Sequence, residues 1–290
     1  MAAYLRLGRR FIFMVRHSNV IIAVFSTSAG IGKTLTAINL AAGFAKEGYN
    51  TCLVDLDLQF GDVMSYLHLS SRVTIFDAQK AVLENPEDFD VMEYLTEYRW
   101  GGIAFSVLAP PHNIEDAYSV DVAGVEQIIR RLSWFNFIVL DLTPVFSTLN
   151  MAMLDMSTII NYIGVIDFLP AIKNYKVGYD TLIRFEYEEN KIRLIENRSN
   201  SQKFVRSDDV EKLMGEKFFY HLPNDFASAS RAIRSGQPLM FAAPGSALQR
   251  GYEELVSSYC SRAQDVTENV NNVVKRGLFT RFIDKFRNPA

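Results

Sequence analysis

Short apolar runs alternate with stretches of helical periodicity along most of this 290-residue chain. Each run has the length of one buried strand, and together the runs cover residues 20–26, 51–57, 103–110, 135–141, 157–166, 191–197 and 217–223. Helical spacing of apolar residues predicts helices at 33–46, 74–82, 87–97, 121–132 and 253–264. Strands that alternate with helices are typical of an α/β fold, in which a mostly parallel sheet is flanked by helices on both faces. We therefore predict a three-layer α/β/α architecture.

The pattern changes at both ends of the chain. No internal repeat or low-complexity linker interrupts the alternation, which predicts one domain over residues 19–265. A basic extension at 1–18 and a basic tail at 266–290 flank that domain. No apolar run reaches the roughly 18–20 residues needed to span a bilayer, and the first apolar stretch is too short for a secretory signal. These features predict a cytoplasmic protein.

The charge is distributed unevenly. The formal net charge is −3, yet the segments 1–17 and 275–290 together hold nine of the 30 Lys and Arg residues and a single acid. The body between them is therefore acidic. Non-specific DNA binding depends on Lys and Arg side chains that neutralise phosphates, so we expect no specific nucleic acid partner.

The segment 26–34, STSAGIGKT, follows the first apolar run and opens the first helical stretch. It ends in Gly32-Lys33-Thr34, as a phosphate-binding loop does, although the strict pattern GxxxxGK[ST] requires glycine where this chain has Thr27. Gly30 and Gly32 allow backbone N–H groups to converge on an anion, and the start of a helix adds positive charge. A chance GKT at a strand–turn–helix corner is the alternative, but the position in the fold favours a nucleotide site.

Three acids follow two of the predicted strands. Asp55 and Asp57 end the second apolar run, and Asp141 ends the run at 135–141. Acids at the carboxyl ends of parallel strands meet at one edge of a sheet, where they can hold Mg²⁺, through water or as an outer partner, and orient an attacking water. Solvated turn acids or helix caps are the alternatives, but three such strand ends in one chain favour nucleotide chemistry.

Several segments resemble a known family. STSAGIGKT, VDLDLQFGDV (54–63) and VLDLTP (139–144) are similar to motifs of the deviant-Walker P-loop ATPases of the MinD/ParA superfamily. DLDLQFGDV, VLAPP (107–111), ENR (196–198) and LPNDFASASRAIRSGQPL (222–239) resemble the TadZ/CpaE-like pilus-assembly branch of that superfamily. The resemblance covers residues 19–262. It implies an ATP-binding protein that forms a homodimer around nucleotide and works with pilus and secretion assembly proteins to localise and build a Flp (tight-adherence, type IV-like) pilus machine.

The resemblance also implies roles for individual residues. Those expected to contact ATP are Ala29, Gly30, Ile31, Gly32, Lys33, Thr34 and Leu35 at the phosphates, with Asn197, Arg198, Pro223, Asn224 and Asp225 around the base. The expected Mg²⁺ site is formed by Thr34, Asp55 and Asp141, and the expected catalytic residues are Lys33, Asp55 and Asp57, with Asp57 orienting the water. From the residues alone, Asn197 reads as a turn former after a strand.

One position departs from the family pattern. The signature lysine that reaches the partner's phosphates falls at Ser28, and a hydroxyl supplies no positive charge. Because a missing cation slows phosphoryl transfer by orders of magnitude, the resemblance implies binding of ATP and, at most, weak hydrolysis. A non-hydrolysing adaptor with permanent nucleotide and a partition or division-site ATPase of the MinD/ParA kind are the alternative functions.

The tail 275–288, KRGLFTRFIDKFRN, has the pattern of a basic amphipathic helix. One helical face collects five bulky apolar residues, Leu278, Phe279, Phe282, Ile283 and Phe286. Lys and Arg border this face, which suits an anionic membrane surface. We expect peripheral contact with the inner face of the cell membrane; packing on the chain's own domain or on a partner protein is the alternative.

Overall fold

The computed structural model describes residues 19–201 and 205–260. The chain divides into two units, of which the larger is Asn19–Glu253. The described residues of the second unit are 254–260, which are helical. The predicted extension 1–18 and tail 266–290 lie outside the described residues, so those two boundaries stay predictions. In the described part of the chain, no helix is long and apolar enough to span a membrane.

Eight strands form one sheet. In chain order they are β1 (Val20–Phe25), β2 (Thr51–Asp55), β3 (Thr96–Trp100), β4 (Ile103–Leu108), β5 (Phe137–Asp141), β6 (Ile159–Gly164), β7 (Ile192–Glu196) and β8 (Tyr220–His221). Their order across the sheet is β3-β4-β2-β5-β1-β6-β7-β8, and every neighbouring pair is parallel except β3 and β4. The prediction of a mostly parallel α/β fold is confirmed.

Helices occupy most of the connections. In chain order they are α1 (Lys33–Lys46), α2 (Val63–Tyr66), α3 (Ile75–Glu84), α4 (Ile114–Tyr118), α5 (Val122–Arg131), α6 (Thr148–Met156), α7 (Leu169–Arg184), α8 (Ser207–Met214), α9 (Phe226–Ser235) and α10 (Leu239–Ala242). Two short 3-10 helices lie at Val91–Tyr94 and Glu189–Lys191, and residues 247–253 are helical as well.

The strands β2 and β5 are buried along their whole length, and β1 along all but its first residue. This explains why their sequences read as continuous apolar runs: a parallel strand at the centre of a sheet has no solvent-exposed face. Strand β1 lies between β5 and β6, so the loop that follows it opens at the carboxyl edge of the sheet near the middle. Open α/β sheets bind ligands at this edge.

Helix α1 is held from several sides. Its residues from Thr36 to Phe44 are buried, and Phe44 stacks on Phe137 of β5 at 3.8 Å between ring centroids. On the side of the C-terminal segment, the Tyr252 hydroxyl lies 2.9 Å from the Thr36 hydroxyl, and the Asn39 side chain accepts the Leu239 N–H at 2.8 Å. The N-terminus of α1, which faces the phosphate loop, is therefore fixed by packing along the length of the helix.

The helix predicted at 87–97 is wrong. The structure places the 3-10 helix Val91–Tyr94 there, followed by the edge strand β3, which pairs antiparallel with β4. The turn between them is Gly101-Gly102, and both glycines have positive φ, as a two-residue hairpin turn requires. The apolar residues of this segment are spaced as in a helix, which led to the wrong prediction. The Gly-Gly pair, which signals a hairpin turn, was the better guide.

Candidate nucleotide site

The loop after β1 has the backbone of a phosphate cradle. Gly30 and Gly32 adopt φ values of 68° and 94°, which L side chains rarely adopt. Gly32 precedes α1, and the helix begins at Lys33, so its unpaired N–H groups point toward the loop. Ala29 and Gly30 are exposed, whereas Ile31 is buried and fixes the middle of the loop. The arrangement suits an anion at the helix N-terminus.

The first turn of the loop is closed by its own side chains. The Ser26 hydroxyl donates to the Ser28 carbonyl at 2.7 Å and accepts the Ser28 N–H at 3.3 Å. Thr27 does not have a positive φ, so its backbone does not demand the glycine of the strict loop pattern. The departure at this position is therefore compatible with a phosphate loop.

The second half of the loop is held by two residues that follow β7. The Asn197 side chain donates to the Ile31 carbonyl at 2.6 Å, and the Arg198 guanidinium donates to the Gly30 carbonyl at 2.9 Å. A Cβ at Gly32 would lie 2.8 Å from the Asn197 amide nitrogen, so this contact also needs glycine in the loop. Asn197 and Arg198 thus act as a clamp on the loop, a role that sequence reasoning missed because an Asn after a strand signals only a turn.

Lys33 and Asp141 interact electrostatically beside the loop. Burial lowers the pKa of the Lys33 ammonium, while the charges of Asp141 and Asp57 oppose that change. Burial raises the pKa of Asp141 to about 7, although a hydrogen bond from Thr34 and the charge of Lys33 act in the opposite direction. The start of α1 is therefore linked to the acid that ends β5, by the Thr34 hydrogen bond and the Lys33 charge.

Asp55 and Asp141 are register partners at the ends of neighbouring strands, and both are fully buried or nearly so. The Asp55 carboxyl accepts two backbone N–H groups, from Asp57 and from Val63, each at 3.1 Å. Asp141 Oδ1 has no hydrogen-bond partner among the described residues. A buried acceptor without a partner is energetically costly. Of the carboxyl oxygens of Asp55 and Asp141, Asp141 Oδ1 is therefore the one available to a proton or a ligand.

Burial and the charge of Asp141 raise the pKa of Asp55, while the two backbone N–H donors oppose them. Both acids therefore favour the protonated form more than an exposed carboxyl does. Asp57 lies just beyond the end of β2 and accepts the Phe60 N–H at 3.2 Å. The loop 57–62 is therefore folded around both acids of the second motif.

Gly61 fits closely against this loop. A Cβ there would lie 2.5 Å from Asp55 Oδ2 and 2.7 Å from a Pro110 side-chain carbon. Glycine at 61 thus allows Asp55 to remain bonded to the Val63 N–H. The structure shows Asp55 organising this loop, and its predicted roles as metal ligand and catalytic residue stay predictions.

The residues predicted around the base lie at the ends of β7 and β8. Asp225 caps α9 by accepting the Ser228 N–H at 3.0 Å, and the Asn224 N–H donates to the Asn200 side chain. The Ser199 N–H donates to the Leu222 carbonyl at 2.9 Å, which joins the two strand ends just before Pro223. The polar atoms of Asn197 are already bonded within the chain, since its Oδ1 accepts the Arg198 N–H at 2.9 Å. Contact of these residues with a base stays a prediction, as does contact of Leu35 with phosphate.

The donor set fits a nucleotide-bound Mg²⁺ better than a metal bound by the protein alone. In the described ranges, no group of three or more His, Cys, Asp or Glu residues could hold a metal. The Thr34 hydroxyl and Asp141 Oδ1 supply the hard oxygen ligands that Mg²⁺ prefers, and Mg²⁺ usually takes its remaining ligands from water and substrate phosphates. Thr34 and Asp141 therefore fit a nucleotide-bound Mg²⁺.

A parallel α/β sheet with a glycine-containing phosphate loop and acids at the neighbouring strand ends defines a P-loop nucleotide-binding protein. The family model described as CobQ/CobB/MinD/ParA nucleotide binding domain matches residues 22–239. The chain belongs to this family, and the superfamily inferred from the motifs is confirmed.

Solved structures share the fold at low identity. The ParA family ATPase from Chlorobium tepidum TLS is 19% identical, with a TM-score of 0.75, and the match covers 82% of this chain and 99% of that one. The septum site-determining protein MinD from Pyrococcus horikoshii OT3, complexed with Mg-ADP, is 17% identical, with a TM-score of 0.71 and coverage of 83% and 96%. A chain of the MinC:MinD cell division protein complex from Aquifex aeolicus is 15% identical, with a TM-score of 0.65 and coverage of 83% and 96%. None of the curated proteins matches the chain.

Proposed function

We propose that this chain binds ATP and Mg²⁺, and that its nucleotide-dependent homodimer localises and assembles a Flp (type IV-like) pilus secretion machine at the inner face of the cell membrane. The observation that carries the nucleotide part is Asp141 Oδ1, a buried oxygen without a partner among the described residues, next to Thr34 and Lys33. A solved relative of the same fold is complexed with Mg-ADP, which supports the same ligand class here.

The chain's own residues would share the work as follows. The backbone of 29–34 binds the phosphates, Lys33 supplies positive charge, and Thr34 and Asp141 hold Mg²⁺. When bound, Mg²⁺ neutralises phosphate charge. The clamp residues Asn197 and Arg198 keep the loop in shape before any ligand arrives, which lowers the ordering cost of binding.

Hydrolysis, in this proposal, is weak. Asp57 lies beside the acids and could orient an attacking water, but Ser28 brings no cation for the partner subunit. The backbone of Ser28 is tied to Ser26, which fixes the position from which a lysine would reach out. Ser28 therefore favours a non-hydrolysing adaptor over an active ATPase.

A dimer through the carboxyl edge of the sheet is supported by exposed apolar side chains there. The segments after four strands of this edge present Phe60, Val145, Phe168, Leu169 and Phe226, all more than half exposed. Phe60 and Phe226 are exposed to 71% and 77%. Such residues around a charged loop fit a surface that a second copy covers.

The pilus role depends on the branch motifs at 55–63, 107–111, 196–198 and 222–239. The Asn197 and Arg198 side chains contact the phosphate loop, and the Ser199 N–H is bonded to the Leu222 carbonyl, which supports a link between two of these motifs and the proposed nucleotide site. A role in partition or in selecting the division site is the second candidate function, because relatives of the same fold include a ParA family ATPase and a septum site-determining protein. The acidic body argues against the version that binds DNA.

Sedimentation of the full chain with no nucleotide, ADP or ATP, each with Mg²⁺, tests the dimer. We expect ATP to shift the monomer to a dimer and a Phe60→Asp variant to remain monomeric. Phosphate release measured in the same samples separates a slow ATPase from an adaptor. Flotation with anionic vesicles, using a Phe282→Glu variant as the control, tests the tail, whose position lies outside the described residues.

A further inference from the structure

The side chain of Thr27 leaves the phosphate loop and contacts α7. Its Oγ1 lies 2.9 Å from the Asn174 carbonyl, to which it donates, and 2.8 Å from the Tyr162 hydroxyl of β6. The Tyr162 hydroxyl in turn donates to the Tyr175 carbonyl of α7 at 3.0 Å. The Thr27 and Tyr162 hydroxyls thus lie against each other, and each donates to a carbonyl of α7.

The approach of α7 to the loop depends on glycine. Gly178 lies inside α7, where glycine is less favourable than alanine. A Cβ at this position would lie 1.9 Å from the Tyr162 hydroxyl and 2.5 Å from the Thr27 methyl. Helix α7 therefore contains a residue of low helix propensity at the point where the Thr27 side chain and Tyr162 contact the helix backbone.

An aromatic pair fixes the far side of this contact. Tyr162 stacks on Tyr175 with 4.7 Å between centroids and 3° between planes, and the Tyr175 hydroxyl donates to the Tyr162 carbonyl at 2.9 Å. A Cβ at Gly164 would lie 2.5 Å from the Tyr175 ring, so β6 also uses glycine to admit the pair. Burial raises the pKa of both phenols, so both remain neutral hydroxyls at physiological pH.

From these contacts we infer that Thr27 is a positioning residue that anchors the phosphate loop to α7 and so sets the affinity for nucleotide phosphates. This inference rests on the proposed function for its link to nucleotide. The anchor holds the first half of the loop, whereas the Asn197 and Arg198 clamp holds the second half, at Gly30 and Ile31. Between the two attachments the backbone of 28–32 is fixed in the shape that an anion needs.

The two hydroxyl groups have two protons for three oxygen–oxygen contacts, which makes the variants separable. Thr27→Val removes both contacts of the loop but leaves Tyr162 donating to Tyr175, so no buried hydroxyl loses its partner. Tyr162→Phe removes one of the two loop contacts and leaves Thr27 donating to Asn174. Thr27→Ser keeps the hydroxyl. Tyr98→Phe is the matched control, because the Tyr98 hydroxyl donates to the Gly236 carbonyl, away from the loop.

The first measurement is amide hydrogen exchange at Ser28, whose N–H is bonded to the Ser26 hydroxyl, in the full chain without nucleotide. We expect exchange to become about three- to tenfold faster in Thr27→Val, less so in Tyr162→Phe, and to be unchanged in Thr27→Ser and Tyr98→Phe, since one hydrogen bond contributes about 0.5–1.5 kcal/mol. Unchanged exchange in Thr27→Val would overturn the anchor, whether or not the protein binds nucleotide.

The second measurement is calorimetric titration with Mg·ATP. We expect the affinity of Thr27→Val to fall about three- to tenfold, with the midpoint of urea unfolding close to that of the wild type, and Thr27→Ser to restore it. Equal affinities of wild type and Thr27→Val would contradict a positioning role. Failure of the wild type itself to bind would refute the proposed function, while the exchange result still decides the anchor.

Discussion

Asp55 and Asp141 occupy equivalent positions at the ends of adjacent parallel strands, yet they are used differently. Asp55 gives both oxygens to backbone N–H groups of the loop that follows it. Asp141 accepts a hydrogen bond from Thr34 of α1 and interacts electrostatically with Lys33, and its Oδ1 has no partner among the described residues. Two acids with the same burial and the same place in the sheet therefore divide the work: one organises a loop and the other remains available to a ligand.

The largest effect is expected in the pH dependence of stability, through Asp141. The folded-state pKa of Asp141, about 7, lies above its unfolded value near 4, so the folded protein binds more protons between these limits. Its contribution to stability is complete below about pH 4 and is lost as the pH rises through 7. Relative to Asp141→Asn, nucleotide-free wild type should lose on the order of 2–4 kcal/mol from pH 4 to 8. Urea unfolding at several pH values measures this, and parallel curves for the two proteins would disprove it.

Asp141→Asn should also separate ligand binding from folding. The amide keeps the shape but removes the charge that Mg²⁺ needs, so the affinity for Mg·ATP should fall about 100-fold, or roughly 2.7 kcal/mol. Titration without Mg²⁺, in EDTA, is the control and should change little. An equal loss in both titrations would mean that Asp141 supports the loop rather than the metal.

Asp55→Asn should affect folding more than binding. One of its two backbone donors would then face an amide NH₂ group instead of an oxygen, which costs about 2 kcal/mol of unfolding free energy. Urea denaturation without nucleotide at pH 8 measures this loss. At that pH Asp141→Asn should be no less stable than the wild type, and the reverse order of the two variants would refute the division of roles.

The smallest effect is expected for an exposed ion pair. Lys46 at the end of α1 contacts Glu253 at 2.5 Å, and the two side chains are 47% and 42% exposed. Water screens such a pair, so Lys46→Ala should cost less than about 1 kcal/mol, and raised salt should reduce the difference further. A loss of unfolding free energy as large as that of Asp55→Asn would show that the exposed fraction of an ion pair does not predict its contribution to stability in this chain.

Much of the architecture was predictable because central parallel strands are apolar along their whole length. The apolar runs at 20–26, 51–57 and 135–141 gave the strands β1, β2 and β5, and the acids at their ends gave the edge where the candidate site lies. Strand β3 was missed because an edge strand with one buried residue, Tyr98, has no continuous apolar run.

Contacts between distant parts of the chain were beyond reach of the sequence patterns. The clamp of Asn197 on Ile31 joins residues 166 positions apart, and the contact between the Thr27 and Tyr162 hydroxyls joins residues 135 apart. The two acids could be placed at one sheet edge, but which of them keeps an available oxygen depends on how the loop 57–62 folds back onto Asp55. Such outcomes depend on tertiary packing, which spacing along the chain does not encode.

The central claim is that the loop 26–34 and Asp141 form a binding site for adenine nucleotide with Mg²⁺. Calorimetric titration of the full chain with Mg·ATP, wild type beside Lys33→Ala, tests it most directly. We expect one nucleotide per chain for the wild type and an affinity at least about 100-fold weaker for the variant, since a charged contact to phosphate is lost. Absence of binding to the wild type, or equal binding to both proteins, would contradict it.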